Sequence, residues 1–210
     1  MAFIRKVYSI LSVQLLFTFA ICAVIQLHAP TNRLVSGNVG LYYFNFFVCL
    51  GTLLPMHCYK RSYPTNFVLL GLFTVSMATM VGIITSMYAN AGAGDLVLEA
   101  VAITASVFVV LTIYTLQSKY DFSFLGAGLG MCLWVMILWG LFAMIFGLHA
   151  GWVYAMAGSI LFSGYIIYDT YMIAERLDPE DYVVASIELY LDLVNLFLYI
   201  LRLLSEMDRR

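Results

Sequence analysis

Seven long runs of apolar residues follow one another along the chain, separated by short connections that hold most of the polar residues. Each run is about 20 residues long, the length that an α-helix needs to cross the hydrocarbon core of a bilayer. The runs lack the strict polar–apolar alternation of a membrane β-strand. The pattern therefore predicts an all-α integral membrane protein, a single seven-transmembrane-helix bundle over residues 1–210. The predicted spans are Val7–Leu27, Val39–Cys58, Asn66–Tyr88, Leu96–Leu116, Phe122–Leu148, Gly151–Ala174 and Tyr182–Leu204.

The composition supports the same class. Hydrophobic residues make up 63% of the chain, charged residues make up 10%, and the mean hydropathy is +0.95. A soluble domain is about 45–50% apolar and about 25% charged. These values exclude a water-soluble enzyme, a disordered regulator and a nucleic-acid binder. The expected surroundings are membrane lipid.

Lys and Arg residues lie mostly on one side of the predicted bundle. The N-terminus and the second, fourth and sixth connections hold Arg5, Lys6, Lys60, Arg61, Lys119 and Arg176. The positive-inside rule therefore predicts a cytosolic N-terminus. Arg209 and Arg210 would then lie across the membrane, against the rule. The conflict would disappear if the last segment were re-entrant, or if the sixth and seventh segments did not both cross the membrane. Both alternatives stay open beside seven full spans.

The last two predicted spans contain acidic residues, which are costly in hydrocarbon and indicate function. Asp169 lies near the end of the sixth span, and Asp192 lies near the middle of the seventh. Spacings of four, three, four and three residues place a polar stripe on one face of the seventh span. The residues of the stripe are Glu188, Asp192, Asn195, Tyr199 and Arg202. We expect an ion or proton path along this face, with structural hydrogen bonding between helices as the alternative.

Asp169 and Asp192 lie on consecutive spans joined by a short acidic connection, so their carboxyl groups can meet. Two carboxylates in a low-dielectric site repel each other, and sharing one proton relieves the repulsion. We expect such a pair to titrate as a unit and to attract a cation once it is charged. The alternative is that the two carboxyls face separate water pockets.

Further candidates lie nearer the ends of the spans. Glu99 either lines the same cavity as the polar stripe or is interfacial and solvated. Glu180 belongs to an acidic connection, which either attracts cations or is simply solvated. The other acids of this connection are Glu175, Asp178 and Asp181. Lys60 and Arg61 close the second span, either as counterions of the acids or as ordinary anchors at the membrane surface.

Four segments carry a resemblance to a known family. They are Met1–Leu11, Tyr114–Lys119 with Asp121–Ser123, Gly164–Thr170 and Leu189–Leu198. Through them the chain resembles the Bax-inhibitor family of membrane proteins, in particular its Golgi anti-apoptotic protein, or lifeguard, branch. The resemblance extends over essentially the whole chain.

The resemblance implies six helices packed around the seventh. It also implies a calcium-permeable leak channel of the Golgi or endoplasmic reticulum that lowers store calcium and inhibits apoptosis. The family's pH-sensing aspartate pair corresponds to Asp169 and Asp192, and its basic latch corresponds to Lys60 with Arg61 as neighbour. A Lys at that position departs from the usual Arg and cannot form the same bidentate pair.

The working hypothesis is a pH-sensitive cation leak in which Asp169 and Asp192 control the seventh helix and Glu188, Asn195, Glu99 and Glu180 line the path. Calcium is the permeating ion, bound weakly and transiently at Asp169 and Asp192, and no cofactor is expected. A second copy of the chain and apoptosis-regulating membrane proteins are further candidate partners. A cation/proton exchanger and a non-transporting scaffold are the alternatives. An enzyme is not expected, because motifs such as His-Glu-x-x-His and Gly-x-Ser-x-Gly are missing from the sequence.

Overall fold

The computed structural model describes residues 2–36, 38–148 and 151–208, and these residues form helices without any strand. The helices are α1 (Ala2–Leu27), α2 (Ala29–Ser36), α3 (Val39–Tyr59), α4 (Thr65–Asn90), α5 (Gly94–Gln117), α6 (Leu125–Phe146), α7 (Trp152–Glu175) and α8 (Tyr182–Asp208). A short 3-10 turn, Pro179–Asp181, precedes α8. Each of the seven predicted spans coincides with one long helix. The short helix α2 was not predicted, since its Pro, Thr, Asn and Arg residues are typical of a connection.

Six of the long helices in the described part of the chain are long and apolar enough to cross a membrane: α1, α3, α4, α5, α6 and α8. The acid-bearing helix α7 is not among them. The structure is therefore that expected of a helical membrane bundle, and the crossing of all seven helices stays a prediction. Helix α8 runs unbroken over 27 residues. A re-entrant last segment would need a break that this helix lacks, while Arg209 and Arg210 lie outside the described residues.

Helix α8 is also the most buried of these six helices. That is expected of a helix at the centre of a bundle, although the arrangement of six helices around it stays a prediction. The described residues group into two compact units, where the sequence indicates one membrane domain. Helix α8 contributes its first part, up to Tyr190, to one unit and its remainder, from Leu191, to the other.

The first unit takes its described residues from Met1–Asp95 and Asp178–Tyr190. In it, α4 packs against α1, α2 and α3. Spacings of three, four and seven residues give α1 one buried face, formed by Val7, Leu11, Gln14, Thr18 and Ile25. Val7 and Leu11 are apolar core residues of this face, and Phe73 of α4 is fully buried. Apolar burial and close packing thus hold this unit together.

Polar contacts at the helix ends of the first unit agree with the prediction that successive connections lie at alternate ends of the bundle. The Lys6 ammonium lies 3.2 Å from the centroid of the Tyr182 ring, which joins the start of α1 to the start of α8. At the opposite ends of the helices, the Asn90 side-chain amide donates to Asn32 Oδ1 at 2.9 Å. The α1–α3 and α4–α5 connections therefore lie together, as expected for helices that alternate in direction.

The second unit takes its described residues from Leu96–Leu177 and Leu191–Arg210. Here α6 packs on α7, and small residues allow the two helices to approach closely. A Cβ at Gly126 would lie 2.8 Å from the phenol of Tyr168, and a Cβ at Gly164 would lie 2.8 Å from Leu129. Gly126 and Gly130 lie four residues apart on α6, a spacing that permits close helix approach. The structure shows it at Gly126, whereas a Cβ at Gly130 would meet open space.

Asp121 and Arg176 join two connections of the second unit. An Arg176 guanidinium nitrogen lies 3.1 Å from Asp121 Oδ2, and the Ser123 backbone N–H donates to Asp121 Oδ1 at 2.8 Å. Hydrogen bonds from Ser123, first among the causes, lower the pKa of Asp121 to about 2. The carboxylate therefore stays charged throughout the physiological range, and the α5–α6 connection stays bonded to the end of α7.

Gly158 is the tightest glycine contact of the second unit, since a Cβ there would overlap the ring of Tyr199. We predict that Gly158→Ala destabilises the protein by about 1–3 kcal/mol, the usual cost of overpacking. Gly128→Ala is the matched control in a helix, because its Cβ would meet open space. Thermal unfolding in detergent would measure both. Equal stability of the two variants would contradict the close approach of Tyr199 to α7.

Candidate functional site

The centre of the site is a pair of carboxyl groups on α7 and α8 in the second unit. The side chain of Asp169 is hydrogen-bonded to that of Asp192. Asp192 is only 5% exposed, and Thr170 next to Asp169 is fully buried. Two carboxyl oxygens can form a hydrogen bond only when one carboxyl carries a proton. The sequence expectation that these two residues meet is therefore realised in the geometry.

A tyrosine side chain lies near the pair. Tyr165, one turn before Asp169 on α7, is within electrostatic reach of both aspartates. Tyr168 and Cys132 lie close to the same phenol. The carboxyl pair therefore lies beside the phenol of Tyr165.

The polar stripe of α8 divides into segments with different contacts. Asn195 donates its side-chain amide to the Leu191 carbonyl oxygen at 2.8 Å, one turn back on its own helix. Tyr199 donates to the hydroxyl of Tyr154 at 3.4 Å. Glu188 is half-buried and lies on the part of α8 that belongs to the first unit. Within the second unit, the stripe thus runs from the carboxyl pair at Asp192 to an aromatic contact at Tyr199.

A second group of charges lies in the first unit, where the α3–α4 connection meets the turn before α8. Asp181 accepts from Lys60 Nζ at 3.0 Å and from Arg61 Nε at 2.9 Å. Arg61 also contacts Asp178 at 3.1 Å and Glu180 at 3.4 Å. Hydrogen bonding to Asp181 raises the pKa of Arg61. These five residues are called the ionic cluster below.

The ionic cluster gives Lys60 and Arg61 the counterion role that the sequence left open. Their partners are the acids of the connection before α8. The contact that the structure shows for Lys60 is to Asp181, so the latch expected between Lys60 and the aspartate pair stays a prediction. Glu180 is exposed and paired with Arg61. Its part in an ion path also stays a prediction.

Glu99 lies exposed on α5. This exposure agrees with the alternative that Glu99 is interfacial and solvated. A role of Glu99 in an ion path stays a prediction. No group of three or more His, Cys, Asp or Glu side chains in the described part of the chain could hold a metal ion.

A buried polar network in the first unit was missed by the sequence analysis. The Tyr190 hydroxyl bonds Thr18 Oγ1 at 2.8 Å, and Thr18 in turn donates to the Gln14 carbonyl oxygen at 2.8 Å. The Gln14 side-chain amide donates to Thr74 Oγ1 at 3.0 Å. The available signal was the four-residue spacing of Gln14 and Thr18, which puts both on the buried face of α1.

The ionic cluster yields a prediction about stability. Asp181→Asn removes the carboxylate that both Lys60 and Arg61 contact, whereas Asp178→Asn removes only an exposed contact of Arg61. We expect a clearly larger fall in Tm for Asp181→Asn. The difference in Tm should shrink in 1 M salt, where the Debye length is only about 3 Å and ion pairs are strongly screened. Equal Tm values for the two variants at low salt would show that Asp181 does not hold the cluster together.

The chain is similar to known proteins along nearly its whole length. Residues 1–209 match the family described as "Inhibitor of apoptosis-promoting Bax1". A BI1-like protein of Arabidopsis thaliana is 41% identical over 98% of this chain and 81% of its own length. The Golgi anti-apoptotic protein of Vaccinia virus (strain Lister) is 38% identical over 100% of this chain and 87% of its own length.

Protein lifeguard 4 of Mus musculus is 39% identical, again over 100% of this chain and 87% of its own length. The similarity therefore includes all the long helices, together with the segments that hold Asp169 and Asp192. With a family match along nearly its whole length and relatives of this identity, the chain belongs to the family of inhibitors of apoptosis-promoting Bax1, the Bax-inhibitor family.

Proposed function

We propose that the protein is a proton-controlled, calcium-permeable leak of an internal membrane, and that it inhibits apoptosis by lowering store calcium. The names of the relatives support the cellular role and the compartment, since one is a Golgi anti-apoptotic protein and another is a lifeguard protein. The Golgi and the endoplasmic reticulum are the proposed membranes, with the N-terminus in the cytosol. These names describe inhibition of cell death and not catalysis.

The observation that supports the leak is the hydrogen-bonded pair of Asp169 and Asp192 inside apolar helices. With one shared proton, the pair carries a single negative charge and holds α7 to α8. This is the closed state of the proposed leak. Its stability comes from a hydrogen bond in surroundings of low dielectric constant, where such bonds are strong.

Loss of the shared proton opens the proposed leak. Two negative carboxylates then face each other beside the phenol of Tyr165. Repulsion separates the two side chains, and a cation that enters between them lowers the energy. Calcium suits this position, because hard cations prefer carboxylate oxygens.

The ionic cluster is the proposed site that attracts cations to the first unit. Its three acids exceed its two bases by one charge, and Asp178 and Glu180 are half or more exposed. An excess of exposed negative charge raises the local concentration of cations. The negative excess is small, so the cluster attracts cations without binding them tightly.

The test is calcium entry into liposomes that contain the purified protein, measured from pH 6 to pH 8. We predict that flux rises with pH, by no more than about tenfold per pH unit, the limit for one titrating proton. Asp169→Asn and Asp192→Asn should each remove the pH dependence, because neither variant can form the doubly charged pair. Asp95→Asn is the matched control, an exposed aspartate in the first turn of α5.

Two results would contradict the proposal. Flux that follows an imposed pH gradient, and not the pH itself, would favour the cation/proton exchanger with the same acids. Folded protein without flux above empty liposomes at any pH would favour the scaffold. The aspartate pair would then be a structural hydrogen bond between α7 and α8.

A further inference from the structure

Three aromatic rings of the second unit form a cluster on the same face of α8 as Asp192. The Tyr199 ring stacks on Phe162 with centroids 5.7 Å apart and an interplanar angle of 23°. Tyr154 lies at 5.8 Å on another side of the same ring. Rings at these distances attract each other beyond simple burial. Tyr199 is therefore held between two side chains of α7.

Two features fix the position of the Tyr199 ring. Gly158 lies one turn from both Tyr154 and Phe162, and its missing side chain lets the ring lie directly on the backbone of α7. The Tyr154 hydroxyl donates to the Met136 carbonyl oxygen of α6 at 3.0 Å, and it accepts from Tyr199. The cluster thus connects α6, α7 and α8 at one level.

The cluster lies on the stripe at a defined distance from the acids. Tyr199 is seven residues after Asp192, which corresponds to two helical turns and about 10 Å along α8. An ion that moves along the stripe from Asp192 toward the C-terminal end of α8 therefore meets the rings next. Arg202 follows after one further turn, and its guanidinium carbon lies 5.5 Å from the Tyr154 ring centroid.

We propose that Tyr199, seated on Gly158 between Tyr154 and Phe162, is a constriction of the ion path, with the positive charge of Arg202 beyond it as a barrier to cations. This proposal rests on the leak function proposed above, and it adds a second structural feature that limits the flow of ions. Rings block the path sterically and exclude water from it, and apolar constrictions of this kind close channels. The hydroxyl of Tyr199 orients the ring, while the ring itself closes the path.

The experiment compares Tyr199→Ala with Tyr199→Phe in the liposome assay at pH 6, where the wild-type leak is smallest. Tyr199→Ala should raise calcium flux severalfold, because it removes the ring. Tyr199→Phe should leave flux near the wild-type value, because it keeps the ring. Phe162→Leu should also raise flux, and it serves as the second variant if Tyr199→Ala does not fold.

Phe142→Ala is the matched control. It removes a partly exposed ring of the Phe142–Phe146 pair on α6, outside the cluster. Its flux should equal that of the wild type. An equal rise in Phe142→Ala would show general loosening of the bundle and would overturn the constriction. Equal rises in Tyr199→Phe and Tyr199→Ala would overturn the assignment to the ring.

The two proposals fail in distinguishable ways. If the wild type conducts calcium at pH 8 while Tyr199→Ala and Phe162→Leu match it at every pH, the constriction is wrong and the leak stands. If neither the wild type nor the folded ring variants conduct at any pH, both proposals are wrong. A silent wild type with a conducting Tyr199→Ala would support the constriction strongly.

Discussion

The hydrogen bond between two carboxyl groups inside apolar helices is the constraint on which the proposed function depends. Asp169 and Asp192 are brought together by α7 and α8 in the second unit. A single buried carboxylate is costly, and two facing each other cost more, and we propose that a shared proton relieves this cost. The same pair is therefore a structural bond when one proton is present and a source of repulsion when it is absent. A fold that only needed packing would be served better by two apolar residues.

Charged residues outside the apolar helices obey different physics. Lys60 and Arg61 meet Asp178, Glu180 and Asp181 at the ends of helices, with much of their surface exposed. Exposed ion pairs contribute little stability one by one, but Asp181 is mostly enclosed and joins two bases at once. Such an arrangement holds two connections of the first unit together.

The helices could largely be predicted from the sequence, because the thickness of the bilayer sets the length of an apolar run. Each of the seven runs corresponds to a long helix in the structure. Helix α2 was missed, since eight residues with Pro, Asn and Arg carry no such signal. The meeting of Asp169 and Asp192 was also predictable, because acids in apolar helices are rare and these lie on consecutive spans. The partner of Lys60 could not be predicted, because the spacing of residues along the chain does not show which acid lies near Lys60 in the fold. The role of Tyr190 was likewise not predictable, nor were the ring contacts of Tyr199, since buried aromatic residues look alike until their neighbours are known.

The shared proton is the central claim, and infrared spectroscopy tests it most directly. The carbonyl stretch of a protonated carboxylic acid is separate from that of a carboxylate, so wild-type protein can be compared with the double variant Asp169→Asn/Asp192→Asn. At pH 6 the account predicts a protonated-acid band in the wild type that the double variant lacks and that weakens as the pH rises to 8. Identical spectra in this region for the two proteins would contradict the account, since the carboxyl pair would then hold no proton to lose.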